Sequence, residues 1–446
     1  MKIEFILPEI TRTVFDRFKK AGYEIYLVGG AVRDLFLKKE LKDCDFATNA
    51  NPDDVQRLFS KTIYNNNYGT VTVIFEDGQT AEITSYRREA KYDDFRHPKE
   101  IIWAKTIEED LRRRDFTINA IAHNGKDIID PFGGIDDINS KTIRAVGSTD
   151  RRFREDSLRL IRAVRFASQL EFLIDTSTFD SIKKNSQLIQ HISGERIRDE
   201  LLKILSSPHP GDGVMLLKNA GLLSYILPEV GACFGVEQKS PGRHHVDDVG
   251  THLIKSLNVC ASSDSITRLA TLIHDIGKAQ TFKKDEKTGL ITFYNHEVVG
   301  AEQSKEIAKR LRLSKEEGKK LATLVRFHMF TVSERQTDKA IKRFIRNVGV
   351  ENLDDAIAMR VADRVGSGAT ETSWRTELFK KRLLQVQLEP FSIKDLKIDG
   401  NDVMKKLGIK PGPKVGKILN SIFEQVENKT LENKRNILLK AISDFS

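Results

Sequence analysis

The chain contains little cysteine, because only Cys44, Cys233 and Cys260 occur among its 446 residues. None of them forms a CxxC pair, which argues against a zinc ribbon and for reduced thiols. No apolar run is long enough to span a bilayer, and the first residues lack the pattern of a signal peptide. Internal repeats and low-complexity segments are absent too. These absences predict a soluble, cytoplasmic protein with no membrane partner.

Length and composition bound the architecture. A chain of 446 residues is longer than one hydrophobic core supports, so we expect three or more domains. The net charge of +9 suits a polyanionic partner, although a modest basic excess is also common on plain solvated surfaces. Strands and helices alternate up to about residue 145, and helical patterns follow from there on. The pattern therefore predicts an α+β fold.

A glycine pair and two aspartates stand near the start of the chain. An apolar strand at residues 25–28 runs into Gly29–Gly30, and Arg33 follows on a short helix. Glycine lets the backbone approach a ligand, and the amide groups at a helix start bind phosphate. If Asp43 and Asp45 lie on one strand, its period of two places both carboxylates on the same face. Such a pair holds hard cations against a triphosphate, although a turn and a solvated strand end produce the same pattern.

Two further strands are expected at residues 70–75 and 80–84, with Asp77–Gly78 as the turn between them. Glu82 lies on the second of these strands and is either a third metal-binding carboxylate or an exposed strand residue. Dense charge with interleaved aromatic residues then predicts a mobile loop from residue 85 to 100.

These motifs resemble the nucleotidyltransferase superfamily of DNA polymerase beta, and within it the bacterial tRNA nucleotidyltransferases and the poly(A) polymerases. The resemblance implies that Asp43 and Asp45 hold two Mg²⁺ ions, which activate the tRNA 3′ hydroxyl and stabilise the departing pyrophosphate. It also implies that Gly29, Gly30 and Arg33 bind the nucleotide. The loop at residues 85–100 stands where enzymes of this family carry a loop linked to addition of the final adenosine; the alternative is an incidental surface loop.

An arginine run follows at residues 112–114 and leads directly into an apolar stretch. It matches the RRD motif of the family, which implies that Arg114 contacts the phosphates or sugar of the nucleotide. The same match implies that Asp115 orients the sugar or braces the arginine. Residues 130–134 resemble the DPFGG element between head and neck, and we interpret them as a hinge.

Residues 153–166 predict one amphipathic helix with an apolar side and a charged side. A surface helix with internal ion pairs is one interpretation. The string also matches the EDxxR motif of the family, which implies that Asp156 and Arg159 select the base. Cytosine and adenine offer an amino donor beside a ring-nitrogen acceptor, so a carboxylate and a guanidinium complement them and reject uracil and guanine. Arg162 and Arg165 would hold phosphates or the base edge.

A second constellation lies in the helical part of the chain. Imidazoles and carboxylates spread over several helices are what one or two divalent transition-metal ions need. The arrangement resembles the HD phosphohydrolase superfamily, which implies a basic ligand set and two additional histidines. The basic set is His252, His274, Asp275 and Asp363, and the additional ligands are His296 and His328. Such a domain either hydrolyses phosphoesters or serves as a tRNA-binding body.

The whole pattern predicts four domains. A nucleotidyltransferase head occupies residues 1–145, a helical neck 146–235, an HD metal-binding domain 236–375 and a tRNA-binding tail 376–446. The predicted function is addition of C, C and A to the tRNA 3′ end from CTP and ATP. Three alternatives stay open: an A-adding enzyme or poly(A) polymerase, an HD phosphohydrolase acting on cyclic phosphates or nucleotides, and an RNA-binding protein with inactive sites. The pattern carries no indication of oligomeric state.

Overall fold

A computed structural model describes residues 5–41, 44–65, 69–89, 101–238, 247–330, 333, 335–387, 393–428 and 430–445. The chain forms two compact units. The first comprises residues 1–235 together with 263–269 and 306–315, and the second comprises the remainder. The division into four domains stays a prediction. No helix among the described residues has both the length and the apolar character needed to cross a membrane.

The head of the first unit is built on a seven-stranded sheet. Its strands and those of a separate two-stranded ribbon are β1 Ile25–Val28, β2 Asp45–Thr48, β3 Thr62–Asn65, β4 Thr70–Ile74, β5 Thr80–Ser85, β6 Arg87–Glu89, β7 Ile101–Trp103, β8 Ala122–His123 and β9 Ile128–Ile129. The helices are α1 Glu9–Lys20, α2 Gly30–Phe36, α3 Pro52–Leu58, α4 Ile107–Arg112 and α5 Gly134–Asn139. The strand order in the sheet is β3-β4-β5-β2-β1-β8-β9. β2 and β5 pair in parallel, and the other neighbours in the sheet are antiparallel.

Alternating burial explains why this sheet has one covered face and one partly open face. Val71 and Val73 of β4 and Ile83 of β5 are fully buried, whereas the residues between them are more exposed. On the opposite face, Ala47 of β2 belongs to a core cluster with Leu111 of α4. The open part of this second face is where polar side chains reach solvent.

The structure places β1, β4, β5 and the turn at residues 77–78 where the alternation predicts them. The described part of β2 begins at Asp45, and Asp43 lies outside the described residues. The prediction of a loop from residue 85 to 100 is wrong at its start, because β6 at residues 87–89 pairs with β7, which begins just after the predicted range, in an antiparallel ribbon. Residues 90–100 between these strands lie outside the described part of the chain.

The neck is helical with one short parallel strand pair. Its elements are β10 Thr142–Ile143, α6 Thr149–Glu155, α7 Leu158–Leu170, β11 Leu173–Ile174, α8 Thr176–Asn185, α9 Gly194–Leu205, α10 Pro210–Asn219, α11 Leu223–Ile226 and α12 Pro228–Gly231. The single helix predicted at residues 153–166 is therefore two helices. Asp156 has extended dihedral angles, φ −143° and ψ 105°, and its Oδ1 accepts a hydrogen bond from the Leu158 amide. An aspartate that satisfies a free amide at a helix start favours a new helix over continuation of the old one.

The C-terminal half is almost entirely helical over the residues that are described. Its elements are α13 Val249–Asn258, α14 Ser265–Ile273, α15 Lys278–Thr281, β12 Lys283–Lys284, β13 Ile291–Thr292, α16 His296–Arg310, α17 Lys315–Arg326, α18 Asp338–Val348, α19 Leu353–Gly366, α20 Trp374–Gln387, α21 Gly400–Leu407, α22 Pro413–Glu427 and α23 Arg435–Ile442. The last three helices share a core around Val403, Ile422 and Leu438.

Candidate active site and candidate metal centre

The open face of the head sheet carries two carboxylates side by side. Asp45 of β2 and Glu82 of β5 are directly opposed in the parallel register, and both are exposed. Cys44 and Phe46, the neighbours of Asp45, are buried. Asp45 and Glu82 therefore point to solvent from adjacent strands, and they form a pair of oxygen donors of the type that Mg²⁺ prefers.

The glycine turn leaves β1 at the same edge of the sheet. Because β1 and β2 are antiparallel, the end of β1 lies beside the start of β2, where Asp45 stands. Gly29 has φ +69°, and a Cβ atom built on it would lie 2.9 Å from Nη1 of Arg114. Gly30 begins α2, and a Cβ atom there would lie 3.3 Å from Nη2 of Arg33. The turn needs glycine at residue 29 for its backbone conformation, and the missing Cβ atom leaves room for the end of the Arg114 side chain.

A buried carboxylate that sequence reasoning missed holds Arg114 at this turn. Asp110 of α4 is fully buried and accepts bonds from Nε of Arg113 at 2.9 Å and Nη2 of Arg114 at 3.2 Å. Burial alone would raise the pKa of Asp110, but the charges of the two arginines outweigh it and lower the pKa. The only signal in the sequence is the spacing, since an acid three and four residues before two arginines lies on their side of a helix.

Asp115 braces Arg162 rather than the neighbouring arginine. Its Oδ2 accepts bonds from Nε and Nη2 of Arg162 at 2.9 and 2.6 Å. Burial opposes the charge of Asp115, yet its pKa lies well below the ordinary range because the Arg162 guanidinium neutralises and hydrogen-bonds the carboxylate. The expectation that Asp115 braces Arg114 is therefore corrected, because the arginine that meets this carboxylate comes from the neck.

Three arginines converge on the ring of Phe166 in α7. The guanidinium carbons of Arg33, Arg162 and Arg165 lie 5.2, 5.3 and 4.0 Å from the ring centroid. Glu200 of α9 is buried and pairs with Nε of Arg165 at 2.6 Å. Burial is the main reason why the pKa of Arg165 falls to about 10. This value lies above neutral pH, so Arg165 stays cationic, and the convergence of three guanidinium groups suits a polyphosphate.

The proposed base-selecting residues lie at the break between α6 and α7. Oδ2 of Asp156 pairs with Nη2 of Arg196 from α9 at 3.2 Å. Arg159 is buried, and its Nη2 donates to the carbonyl oxygen of Arg113 at 3.0 Å while its Nη1 contacts Glu155 at 3.3 Å. Arg159 thus joins the break between α6 and α7 to the arginine run of the head through the carbonyl oxygen of Arg113.

The second unit gathers all six residues of the predicted HD ligand set. In the first half of the cluster, Nε2 of His252 lies 3.2 Å from Nε2 of His274 and 3.2 Å from Oδ1 of Asp363. Oδ2 of Asp275 lies 3.6 Å from Nε2 of His252 and 3.3 Å from Nε2 of His274. Four potential ligand atoms therefore face one point.

The other oxygen of the same aspartate belongs to the second half of the cluster. Oδ1 of Asp275 lies 3.2 Å from Nε2 of His296 and 3.5 Å from Nε2 of His328. The two Nε2 atoms are 3.3 Å apart. His252, His274 and Asp275 form one group able to hold a metal ion, and Asp275, His296 and His328 form another. Asp275 lies between two candidate ion positions and offers one oxygen to each.

Backbone carbonyl groups fix the orientation of three of these rings. The Nδ1 atoms of His274, His296 and His328 donate to the carbonyl oxygens of Thr271, Phe293 and Val325 at 2.8, 2.8 and 2.7 Å. A proton held on Nδ1 leaves Nε2 as the metal-binding atom, which is the usual arrangement around protein-bound metals.

The negative charges of Asp275 and Asp363 are offset by a proton on His274 and by the ammonium group of Lys278. Burial would lower the pKa of His274, but the carboxylates of Asp275 and Asp363 raise it to about 10. Nζ of Lys278 lies 2.6 Å from Oδ2 of Asp275. A divalent cation in this cluster would replace the histidine proton, because a metal ion binds the neutral imidazole.

Three family profiles match successive parts of the chain. The profile described as "Poly A polymerase head domain" matches residues 25–144, "Probable RNA and SrmB- binding site of polymerase A" matches 171–233, and "tRNA nucleotidyltransferase domain 2 putative" matches 280–442. The first profile lies within the head, the second lies within the neck, and the third covers most of the C-terminal half.

Relatives and solved structures extend the match to the full length. The chain is 33% identical to a CCA-adding enzyme of Limosilactobacillus reuteri over 98% of this chain and 97% of that protein. It is 46% identical to a CCA-adding enzyme of Geobacillus kaustophilus over 48% of this chain and 53% of that protein. The crystal structure of the Bacillus stearothermophilus CCA-adding enzyme in complex with CTP matches at a TM-score of 0.72 and 27% identity, covering 98% of both chains.

Proposed function

The chain belongs to the family of CCA-adding enzymes, and on that premise we propose that it adds C, C and A to the 3′ end of tRNA from CTP and ATP without a nucleic-acid template. The observation that carries the proposal is the contact between the glycine turn at Gly29 and Arg114, beside the exposed pair of Asp45 and Glu82. This arrangement offers a place for a triphosphate between cationic groups and metal-binding carboxylates.

The donor set at the sheet edge is suited to Mg²⁺. Asp45 and Glu82 are exposed carboxylates on adjacent strands, and Asp43 would complete the set. Mg²⁺ held by these residues supplies Lewis-acid stabilisation of the attacking 3′ oxygen and of the pyrophosphate leaving group. The cationic side chains act on the same charge, because Arg114 at the glycine turn and the arginines around Phe166 neutralise the phosphates.

Base selection is assigned to Asp156 and Arg159. The carboxylate accepts from the exocyclic amino group of cytosine or adenine, and the guanidinium donates to the ring nitrogen beside it. Uracil and guanine would place a carbonyl against the carboxylate and an N–H group against the guanidinium. A base that leaves polar groups unpaired in a desolvated site is rejected strongly, and one pair of side chains therefore serves both correct bases.

Incorporation of radiolabelled nucleotides into a tRNA that lacks its 3′ CCA tests the assignment of Asp45. We expect the Asp45→Asn variant to lose incorporation from both CTP and ATP while it still binds tRNA in a filter assay, because only the metal-binding oxygen is altered. Asp77→Asn at the β4–β5 turn is the matched control and should retain activity, since Asp77 accepts a hydrogen bond from the Gln79 amide of its own turn. An Asp45→Asn variant with near wild-type activity would refute the metal assignment.

The same substrate separates CCA addition from the two related activities. Incubation with ATP alone would give long A tracts from a poly(A) polymerase. An enzyme restricted to A addition would extend only a tRNA that already ends in two cytidines. Family membership favours the complete CCA sequence, which requires CTP before ATP is used.

A second activity is favoured by the buried cluster in the second unit. The two halves of this cluster share Asp275 and present nitrogen and oxygen donors that suit transition metals such as Mn²⁺, Co²⁺ or Ni²⁺. Divalent ions held there would supply a metal-bound water able to attack a phosphoester. We propose a metal-dependent phosphohydrolase activity on nucleoside cyclic phosphates, separate from the activity of the head.

Metal content and phosphate release test this second activity. The purified protein reconstituted with Ni²⁺ should hold two ions, His296→Ala should hold one, and Asp275→Ala should hold neither firmly because it removes the shared ligand. Hydrolysis of a 2′,3′-cyclic nucleotide should fall with the ions. His191→Ala is the control, since His191 is an exposed residue of the neck. Equal metal content in wild type and Asp275→Ala would contradict the proposal.

A further inference from the structure

One buried amide connects the arginine of the glycine motif to the arginines of the neck. Asn119 lies in the 3₁₀ turn Thr117–Asn119 and is 6% exposed. Its Oδ1 accepts from Nη1 of Arg33 at 2.8 Å, and its Nδ2 donates to Oδ1 of Asp115 at 3.1 Å. The other oxygen of Asp115 holds Arg162. A continuous hydrogen-bonded path therefore runs from α2 of the head to α7 of the neck.

The chemistry of this position requires an amide. Arg33 has only donors, so its partner must accept, whereas Asp115 is ionised and has only acceptors, so its partner must donate. The asparagine side chain supplies one of each in a fixed geometry. A carboxylate at residue 119 would satisfy Arg33 but would face Asp115 with a like charge, and an apolar side chain would leave both the half-buried Arg33 and the buried Asp115 without this partner.

We propose that Asn119 is a positioning residue for nucleotide transfer, which sets the guanidinium of Arg33 and, through Asp115, that of Arg162. Because all three members of the cluster around Phe166 carry the same charge, Arg33 and Arg162 repel one another and need fixed counter-groups to stay convergent. Asp34 pairs with Arg33 at 2.9 Å and Asp115 pairs with Arg162, and Asn119 is the side chain that links the Arg33 guanidinium to Asp115. The inference rests on the proposed nucleotidyltransferase function and adds a residue that itself need not touch the substrate.

Replacement of Asn119 by aspartate should make activity depend on pH in a way that a purely structural role of Asn119 would not. The oxygen that replaces Nδ2 would lie about 3 Å from Oδ1 of Asp115, in the geometry in which two carboxylates share one proton. The charged groups on the elements packed around this position are Arg33 and Asp34 on α2, Asp115 in the same segment, Asp137 on α5, Arg162 and Arg165 on α7, and Glu200 on α9. Protonation at lower pH restores an O–H donor to the path.

The test measures kcat/KM for CTP and for ATP with Asn119→Asp and Asn119→Ala between pH 6 and 8. We expect both variants to lose about a hundredfold at pH 8 for both nucleotides, with unchanged tRNA affinity, because a small misplacement of phosphate-binding groups has effects of this size. Relative to wild type, Asn119→Asp should recover about tenfold by pH 6 as the pair takes up a proton, and Asn119→Ala should not recover.

Asn185→Asp is the matched control. Asn185 is also buried and donates through Nδ2 to a carboxylate, Oδ1 of Asp150 at 3.2 Å, but it belongs to α8, and its hydrogen bonds within the described part of the chain go to Asp150 and Ser181. Its variant should lose thermal stability without a pH-dependent change in kcat/KM. The inference is overturned if Asn119→Ala retains activity within threefold of wild type, or if Asn119→Asp loses activity equally at every pH. A wild-type protein that adds no nucleotide would instead refute the proposed function itself.

Discussion

Replacement of Asp110 by asparagine is the sharpest perturbation of the head. The substitution keeps the volume of the side chain but removes the charge that two guanidinium groups share. An amide oxygen accepts less strongly than a carboxylate, and the new NH₂ group would face donors from Arg113 or Arg114. The variant therefore leaves at least one buried cation without its counter-charge.

The size of the effect follows from the burial of the partners. Asp110 has a side chain 1% exposed, and those of Arg113 and Arg114 are 16% and 18% exposed. Loss of one partner from a buried ion pair costs about 3–5 kcal/mol, and we expect about 3 kcal/mol because both guanidinium groups retain some contact with water. Since the folded state lowers the pKa of Asp110, its contribution is present above the ordinary carboxyl pKa and is lost as the pH falls below that value.

Urea denaturation followed by circular dichroism measures this loss, at neutral pH and again near pH 3. The difference between wild type and Asp110→Asn should be largest at neutral pH and should shrink on acidification. Asp199→Asn is the control, because Asp199 is 55% exposed in its pair with Arg198, and a surface pair contributes less than about 1 kcal/mol. If Asp110→Asn is as stable as Asp199→Asn and adds nucleotides at the wild-type rate, the role given to Asp110 is wrong.

Two other substitutions follow from the same geometry. Gly29→Ala and Gly78→Ala both force an alanine into a positive φ, but only the Cβ atom at residue 29 meets Arg114. Nucleotide incorporation should therefore fall about a hundredfold in Gly29→Ala alone, and an equal fall in both variants would contradict the contact. Glu200→Gln should destabilise the neck by about 3 kcal/mol, because it leaves Arg165 without its buried partner. Replacing Glu200 and Arg165 together by leucine should cost less than the sum of the losses from Glu200→Leu and Arg165→Leu alone. Additive losses in thermal denaturation would show that the pair is not coupled.

The regular parts of the head were predictable from sequence because burial alternates with a period of two. Strands β4 and β5 follow directly from their valine and isoleucine spacing, and the Asp-Gly turn between them follows from backbone preference. The break at Asp156 was not predictable from periodicity. The residues on both sides keep a helical spacing, and the two helices are separated by the extended backbone of Asp156, whose side chain accepts from the Leu158 amide.

The candidate metal-binding residues could be predicted from the sequence by their residue type. The buried acids that position the arginines could not. Six histidines and aspartates of the second unit are spread over more than a hundred positions, and the structure brings their side chains within hydrogen-bonding or ion-pairing distance. By contrast, the buried acids Asp110 and Glu200 resemble ordinary helix-surface carboxylates in the sequence. Their importance depends on which arginine arrives from another element, and so does the pairing of Asp115 with Arg162.

Sequencing the products made from a tRNA without its 3′ CCA, with all four nucleoside triphosphates present, tests the central claim most directly. If the carboxylates at the sheet edge drive transfer and the Asp156/Arg159 pair selects the base, the added sequence is C, C and A, and uridine and guanosine are excluded. Products that contain uridine or guanosine, or long tracts of a single nucleotide, would contradict this account.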